Sequence, residues 1–256
     1  MILGFDVGNT HIVPVFYSYD GNIKASFRIP TSLSFTEDTL FATLKTLAEN
    51  NNIYIYEVED IVVSSVVPHI NELFEYLGQS YFNVQPKFIS LDTVNDEIKL
   101  LDGMERGLGA DRIADILAAK KLFPEKELLI IDFGTATTFD VIKNSTYIGG
   151  CILPGIELSI DTLFNNTAKL PKIKFTKPDT VFGTDTVTQI NAGIFYGNVG
   201  AVKELIFQYK KEMPAAYIIS TGGQGKKISE YIYPVDEYIP QLGEIGMFEF
   251  YKLHKK

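Results

Sequence analysis

Two short segments combine aspartate, glycine and polar side chains in an order that suits phosphate chemistry. Asp6-Val7-Gly8-Asn9-Thr10 follows the apolar run Ile2–Phe5, and Asp132-Phe133-Gly134-Thr135-Ala136-Thr137-Thr138 follows Leu128–Ile131. A glycine after a strand lets backbone N–H groups approach a phosphate, whereas a carboxylate beside a phosphate needs a cation between them. Either segment alone is equally typical of an ordinary turn. Found at corresponding places in two similar halves, they predict ATP binding, with Asp6 organising magnesium directly or through water.

A third glycine-rich segment, Thr221-Gly222-Gly223-Gln224-Gly225, follows the apolar strand Ala216–Ser220. Glycines at this position allow a flat ligand such as adenine to lie on the backbone. The same pattern is also a common strand-to-helix connector. In third place behind two phosphate loops, it predicts an adenosine site at Gly222 and Gly223.

The segment Gly109-Ala110-Asp111-Arg112 places a carboxylate beside a guanidinium at the start of a predicted helix. Asp111 can accept the proton of an attacking hydroxyl, and Arg112 can hold a carboxylate through two parallel hydrogen bonds. The residues alone favour a simpler interpretation of Asp111, in which it only caps the helix.

The apolar pattern predicts the elements that must position these segments, in nearly the same order in both halves. In the first half these are strands Ile2–Phe5, Ile12–Tyr19 and Ile23–Ile29, a helix over 36–50, strand Ile61–Val67, helix Glu72–Ser80, strand Lys87–Leu91 and helix Asp111–Leu122. In the second half they are strands Leu128–Ile131, Thr137–Ile142 and Tyr147–Ile152, a helix from about Glu157, helix Thr186–Glu212 and strand Ala216–Ser220. The repetition indicates an α/β protein with an internal duplication, in which each half is a five-stranded mixed sheet with helices on its faces. A boundary near 121–127 predicts domains 1–122 and 123–256.

Two local signals refine the first half. Asp20-Gly21 between two apolar runs predicts a hairpin turn. Pro14 lies within the second run, and proline in a strand predicts a sheet edge or a bulge.

Composition limits the class of protein further. The chain has 256 residues, a net charge of −9, one cysteine and three histidines. An acidic surface argues against a nucleic acid or an anionic membrane as partner. No apolar run approaches the roughly 20 residues that span a bilayer, and the start of the chain lacks the basic segment of a signal peptide. With no disulfide or zinc spacing, the chain is predicted to be cytoplasmic.

The three glycine segments, in this order, resemble the phosphate-1, phosphate-2 and adenosine motifs of the acetate-and-sugar-kinase/Hsp70/actin superfamily. Further segments make the chain similar to the type III pantothenate kinases. They are Gly109-Ala110-Asp111-Arg112, Gly149-Gly150-Cys151-Ile152-Leu153-Pro154-Gly155, Thr167-Ala168-Lys169-Leu170-Pro171 and Gly183-Thr184-Asp185-Thr186, followed by Ile190 and Gly193. The resemblance runs from Asp6 to Gly225.

This resemblance implies two ribonuclease H-like (actin-like ATPase) domains and ATP-dependent phosphorylation of pantothenate to 4'-phosphopantothenate, the first step of coenzyme A biosynthesis. It also implies magnesium, a monovalent cation (potassium or ammonium), and a homodimer with pantothenate near the subunit interface. The residues implied are Asp6, Val7, Gly8, Asn9, Thr10, His11, Thr135, Gly222 and Gly223 for ATP; Gly109, Ala110, Asp111, Arg112 and Thr186 for pantothenate; Asp111 as catalytic base; and Asp132 for the monovalent cation. From spacing alone, Thr186 is equally well a helix N-cap.

Other interpretations remain open at this point. Family members often carry a Tyr/Asn-Pro segment before Gly-x-Asp-Arg, whereas this chain reads differently over 101–108, and no role is assigned there. A sugar or acetate kinase, or a polyphosphate phosphatase, would share the fold but not the segment 109–112. A nucleotide-binding regulator without turnover would not need Asp111. An actin-like structural subunit would need an assembly insertion that this short chain lacks.

Overall fold

The computed structural model describes residues 1–94, 97–104 and 107–255. Glu105 and Arg106, in the divergent segment 101–108, lie outside the described residues. The chain forms two compact units, Met1–Pro124 together with the segment from Leu242 onward, and Glu125–Gln241. The division into domains 1–122 and 123–256 stays a prediction, and the compact units differ from it because the last helix belongs to the first unit. Among the described residues, no helix has both the length and the apolar character that crossing a bilayer demands.

The helices and strands are numbered in chain order. The strands are β1 Ile2–Val7, β2 His11–Tyr17, β3 Ile23–Ser26, β4 Ile29–Pro30, β5 Asp60–Ser65, β6 Lys87–Phe88, β7 Lys99–Leu100, β8 Leu128–Phe133, β9 Ala136–Lys143, β10 Thr146–Pro154, β11 Tyr217–Thr221 and β12 Glu237–Tyr238. The helices are α1 Glu37–Glu49, α2 Asn71–Leu77, α3 Ala110–Leu122, α4 Ile156–Asn165, α5 Thr186–Glu212, α6 Gly225–Ser229 and α7 Leu242–His254.

The sheet of the first unit has the order β3-β2-β1-β5-β6, and the short β4 also pairs with β2. β1 is antiparallel to β2 and parallel to β5, so the sheet is mixed as predicted. β1 and β5 carry the uninterrupted apolar runs Ile2–Phe5 and Ile61–Val63, as is typical of strands with both faces covered. Helix α1 packs its apolar stripe onto this core and begins at Thr36, whose side chain accepts a hydrogen bond from the Thr39 N–H at 3.3 Å.

The hairpin turn predicted at Asp20-Gly21 is present between β2 and β3. Gly21 has φ +92°, and its N–H donates to the Ser18 carbonyl at 3.0 Å. A positive φ of this kind is the conformation that glycine adopts without steric cost.

Pro14 does not lie on a sheet edge, so that part of the prediction was wrong. It pairs with Phe5 in β2, which lies between β1 and β3. On its other side, β4 pairs with β2 at His11 and Ile12, whereas β3 pairs from Val15 onward. Pro14 therefore falls at the break between two partner strands, where a missing N–H is tolerated.

The second unit repeats the arrangement of the first. Its strands follow the order β12-β11-β8-β9-β10, which is the order β6-β5-β1-β2-β3 of the first unit. β8 is antiparallel to β9 and parallel to β11, as β1 is to β2 and β5. This correspondence confirms the predicted duplication and the mixed α/β class. The predicted count of five strands in each sheet was wrong, because each sheet has six among the described residues. Helix α5 has the predicted bounds, Thr186–Glu212.

Candidate active site

The first predicted phosphate loop connects β1 to β2. Gly8 N–H donates to the His11 carbonyl at 2.9 Å, and the Thr31 hydroxyl donates to the Gly8 carbonyl at 2.6 Å. Asn9 and Thr10 are exposed at the tip of this loop. The main chain is therefore held in one shape while its tip faces solvent, as a ligand-binding loop requires.

Two of the predicted ATP residues in this loop have restricted roles. Val7 is 0% exposed with its backbone included, so it presents no surface to a nucleotide in this structure. Its carbonyl already accepts a hydrogen bond from the Val66 N–H at 3.0 Å. Burial, reinforced by the nearby Arg28 charge, lowers the pKa of His11, which favours its neutral form.

Asp6 is half-buried near the end of β1, in register with Ser64 on the parallel neighbour β5. Ser64 is 2% exposed, and its hydroxyl is buried without a hydrogen-bond partner among the described residues. Residues in register on adjacent strands project to the same face of a sheet. A carboxylate and an unsatisfied hydroxyl at this position fit a hydrated magnesium ion, which prefers oxygen ligands and keeps several waters.

Asp111 lies in the first turn of α3, where its carboxylate oxygen Oδ1 accepts the Arg112 N–H at 2.7 Å. The carboxylate therefore satisfies one of the free N–H groups at the helix start. Asp111 is not the N-cap, however, because Gly109 holds that position and no side chain caps it, so the capping interpretation of Asp111 was wrong. Burial raises the pKa of Asp111, opposed by the hydrogen bond from Arg112 and by its charge. A Cβ on Gly109 would lie 2.6 Å from Oδ1, so only glycine leaves the carboxylate in place.

Val66 joins the Asp111 segment to the first loop. Its N–H bonds to the Val7 carbonyl, and its Cγ1 lies 3.4 Å from where a Cβ would stand on Gly109. The first unit thus brings together the loop that begins at Asp6 and the segment that begins at Gly109.

The second unit brings together three segments that were predicted separately. Gly155 N–H donates to the Thr135 carbonyl at 3.1 Å, and Gln224 N–H donates to the Phe133 carbonyl at 3.2 Å. Gly222 has φ +87°, and a Cβ there would collide with Asp132 Oδ1 and lie 2.6 Å from the Phe133 N. The predicted phosphate and adenosine segments therefore form one continuous surface around the Asp132 carboxylate.

Sequence reasoning missed two polar side chains beside this surface. Gln224 Nε2 donates to Glu157 Oε1 at 3.3 Å, and Gln224 Oε1 is buried without a partner among the described residues. The available signal was position, since Glu157 lies just past the Gly149–Gly155 segment and Gln224 just past Gly223.

Thr138 on β9 is paired in register with Asp132 on β8. Its hydroxyl is buried and has no hydrogen-bond partner among the described residues.

Thr186 is exposed and is the first residue of α5, but it is not the N-cap. Asp185 holds that position, and its carboxylate accepts the Thr188 N–H at 3.0 Å. The N-cap alternative for Thr186 was therefore wrong, because the side chain that accepts the hydrogen bond from the Thr188 N–H is that of Asp185. The hydroxyl of Thr186 is left outside the cap.

A groove of about 530 Å³ lies beside the start of α5. It is lined by Val181, Phe182, Gly183, Gln189, Ala192, Gly193, Tyr196 and Gly197. Phe182 is 79% exposed, so this side of the unit presents an apolar surface.

Two copies of one mixed sheet, each with an Asp-x-Gly turn after its first strand, define the actin-like ATPase fold. A solved structure with this fold is the activator of the 2-hydroxyisocaproyl-CoA dehydratase from Clostridium difficile, with bound ADPNP. The two structures superpose with a TM-score of 0.52 at 13% identity, over 99% of this chain and 96% of that chain.

The family follows from sequence. Residues 2–208 match the type III pantothenate kinase family. The type III pantothenate kinase of Fusobacterium nucleatum subsp. nucleatum is 44% identical over 257 residues, which is 100% of both chains. That of Agathobacter rectalis is 39% identical over 98% of this chain and 97% of its own. The chain belongs to the type III pantothenate kinase family, and the resemblance found in its motifs is confirmed.

Proposed function

We propose that this chain transfers the γ-phosphoryl group of ATP to the primary hydroxyl of pantothenate, producing 4'-phosphopantothenate for coenzyme A biosynthesis. The observation that carries this proposal is the Asp111 segment, where a partly buried carboxylate stands next to Arg112 and is linked through Val66 to a phosphate loop. Pantothenate has a primary hydroxyl at one end and a carboxylate at the other. Asp111 suits the first of these groups and Arg112 the second.

Asp111 acts as the base in this proposal. The transition state of phosphoryl transfer is loose, so the base mainly orients the hydroxyl and accepts its proton late. The hydrogen bond from the Arg112 N–H to Oδ1 restrains the orientation of the carboxylate. The other oxygen, Oδ2, is assigned to the substrate hydroxyl.

Phosphate binding is assigned to the backbone N–H groups of each loop within its own unit. Asn9 and Thr10 add polar side chains to the loop of the first unit, and Thr135 adds one to the loop of the second. A chain of net charge −9 does not attract an anion at long range, so local N–H groups and a cation must hold it. The dehydratase activator that shares this fold contains ADPNP, which supports nucleotide binding by this chain. Magnesium bound near Asp6 would neutralise charge on the phosphates, and the unsatisfied Ser64 hydroxyl supports an oxygen-rich site there.

A monovalent cation, potassium or ammonium, is assigned to Asp132. The support is chemical, since Thr138 supplies a buried hydroxyl oxygen with no partner among the described residues, in register with Asp132. Leaving a buried hydroxyl unsatisfied costs about 1–3 kcal/mol, which a bound cation would offset. The cation would complete the charge balance beside the phosphates.

A homodimer is also proposed, through the apolar surface at the start of α5. Ile190, Phe195 and Val199 are core residues, whereas Val187 and Tyr196 on the same helix are 44% and 42% exposed. With Phe182 they leave an uncovered apolar area of the kind that protein interfaces bury. Sedimentation of the wild type and of Phe182→Glu tests this, and a wild-type monomer at micromolar concentration contradicts it.

The cytoplasm is the proposed location of the protein, because a single free cysteine stays reduced there.

One assay tests the function directly. Phosphate transfer from ATP is measured with pantothenate, a panel of sugars, and acetate, each with and without potassium. Among these acceptors, we expect turnover only with pantothenate, and we expect that turnover to require the monovalent cation. Turnover on a sugar or acetate in its place would overturn the assignment, and nucleotide binding without turnover on any acceptor would favour a regulator.

A further inference from the structure

We propose that the C-terminal helix α7 positions Asp111, by fixing helix α3 through a direct backbone contact at Gly246. This inference rests on the proposed function, in which Asp111 is the base. Helix α7 lies beyond the family match at residues 2–208 and carries none of the motifs. Its role would be to hold the helix that presents the carboxylate.

The contact itself leaves no room for a side chain. A Cβ on Gly246 would lie 2.8 Å from the Ala114 Cα and closer still to its carbonyl carbon and oxygen. All three are backbone atoms of α3, which cannot rotate aside as a side chain can. Ala114 follows Asp111 by three residues, about one helical turn or ~4.5 Å along the axis. A shift of α3 at this contact therefore reaches the carboxylate.

Helix α7 is held to the sheet at both ends. A side chain added at Gly246 would therefore displace α3 rather than α7. Near its start, the Tyr17 hydroxyl donates to the Glu244 carbonyl at 2.8 Å. At its end, Lys87 Nζ donates to the His254 carbonyl at 3.2 Å and forms an ion pair with Asp60 at 3.0 Å. Between them, Met247 Cε lies 3.4 Å from where a Cβ would stand on Gly4.

Gly246→Ala should therefore displace α3 by about 1 Å, and a misplacement of that size costs up to ~100-fold in rate. We expect kcat to fall roughly 10- to 100-fold. The KM for ATP should stay within twofold, because the first phosphate loop is built on β1 and β2 and keeps its own hydrogen bonds. A displaced Asp111 would also change its burial, which would shift the acid limb of the kcat–pH profile.

The same helix provides two controls. Gly243→Ala makes the same substitution one turn earlier, where a Cβ would lie 3.4 Å from Asp115 Oδ1, an ordinary contact distance. It should keep kcat. Phe248→Ala removes ring packing against Tyr17 and Tyr251, whose ring centroids lie 5.6 and 5.8 Å from that of Phe248. It should lower the melting temperature but keep kcat in protein shown to be folded by circular dichroism.

Hydrogen–deuterium exchange over residues 109–113 is measured on the same variants. We expect faster exchange in Gly246→Ala than in Gly243→Ala or the wild type.

If Gly246→Ala does not fold, Gly243→Val is used in its place, because it presses a branched side chain toward Asp115. The same changes in kcat and in exchange are expected for it. The inference is overturned if Gly246→Ala keeps kcat and exchange within twofold of wild type, or if Phe248→Ala loses kcat equally. A wild type inactive on pantothenate would reject the proposed function, while the exchange data would still decide whether α7 positions α3.

Discussion

The carboxylate of Asp132 lies directly against Gly222, with no space between them for a single methyl group. Gly222 directly follows strand β11 and has φ +87°, so both its conformation and its surroundings disfavour other residues. This contact ties the proposed adenosine segment to the proposed cation site.

Gly222→Ala is expected to raise the KM for ATP at least tenfold, because the added methyl group must push away Asp132 or the Phe133 backbone. Steady-state kinetics with varied ATP would measure it. Gly223→Ala is the matched control, since a Cβ there meets nothing within 4 Å. Equal effects of the two substitutions would contradict the role given to this contact.

Asp111→Asn is expected to abolish most of kcat, by about 10²–10⁴-fold as for other general bases, while nucleotide binding is kept. Because burial raises the pKa of Asp111, wild-type kcat should fall as pH drops through this raised pKa. The variant should have no such limb. A variant with nearly full activity would leave Asp111 with only its structural hydrogen bond from the Arg112 N–H.

The same raised pKa predicts a pH-dependent stability difference. Between the ordinary and the raised pKa of Asp111, the folded protein binds a proton that the unfolded chain does not, so this stabilisation is lost as pH rises. Asp111→Asn avoids burying the charge and can still accept the Arg112 N–H. Its melting temperature should exceed that of the wild type at neutral pH, and the difference should shrink below the ordinary pKa. A constant difference across pH would show that Asp111 does not titrate with folding.

Thr186→Ala and Asp185→Ala should separate substrate binding from helix capping. The first removes a hydroxyl that the cap does not use, so it should raise the KM for pantothenate about tenfold, as for one lost hydrogen bond, with an unchanged melting temperature. The second removes the bond to Thr188 and should lower the melting temperature by a few degrees. Thermal melts and kinetics with varied pantothenate measure both. An unchanged KM in Thr186→Ala would remove that residue from the substrate site.

Thr138→Val should raise the potassium concentration needed for half-maximal activity severalfold. The hydroxyl has no partner to lose among the described residues, so the melting temperature without potassium should be equal or higher. Potassium-dependent stabilisation of the wild type, measured by thermal melts, should weaken in the variant. Identical potassium curves for the two proteins would exclude Thr138 from the cation site.

Much of the fold followed from local signals. Strands β1 and β8 and the bounds of helix α5 could be predicted because their signals come from neighbouring residues. The apolar run of each strand is followed by residues that form a turn, and α5 is preceded by a residue that caps it. The two loops and the Asp111 segment were predicted for the same reason. Their assignments to ATP, pantothenate and cations remain proposals.

The parts that sequence did not predict depend on contacts between distant residues. Helix α7 was not predicted at all, and its partner Ala114 is far away along the chain. The Gln224–Glu157 bond joins residues 67 positions apart, and nothing in either segment specifies the other. Pro14 was misplaced because the break between β3 and β4 is a property of the sheet, whereas the proline signal is local.

The return of α7 to the first unit has a consequence for synthesis. The second unit is one continuous stretch, Glu125–Gln241, and can complete its contacts as soon as it leaves the ribosome. The first unit is translated first, yet it lacks the helix that covers Gly4, Tyr17 and Ala114 until Leu242–His254 emerges. The half of the chain made first is therefore the last to finish folding, and a ribosome stalled before residue 242 holds it incomplete.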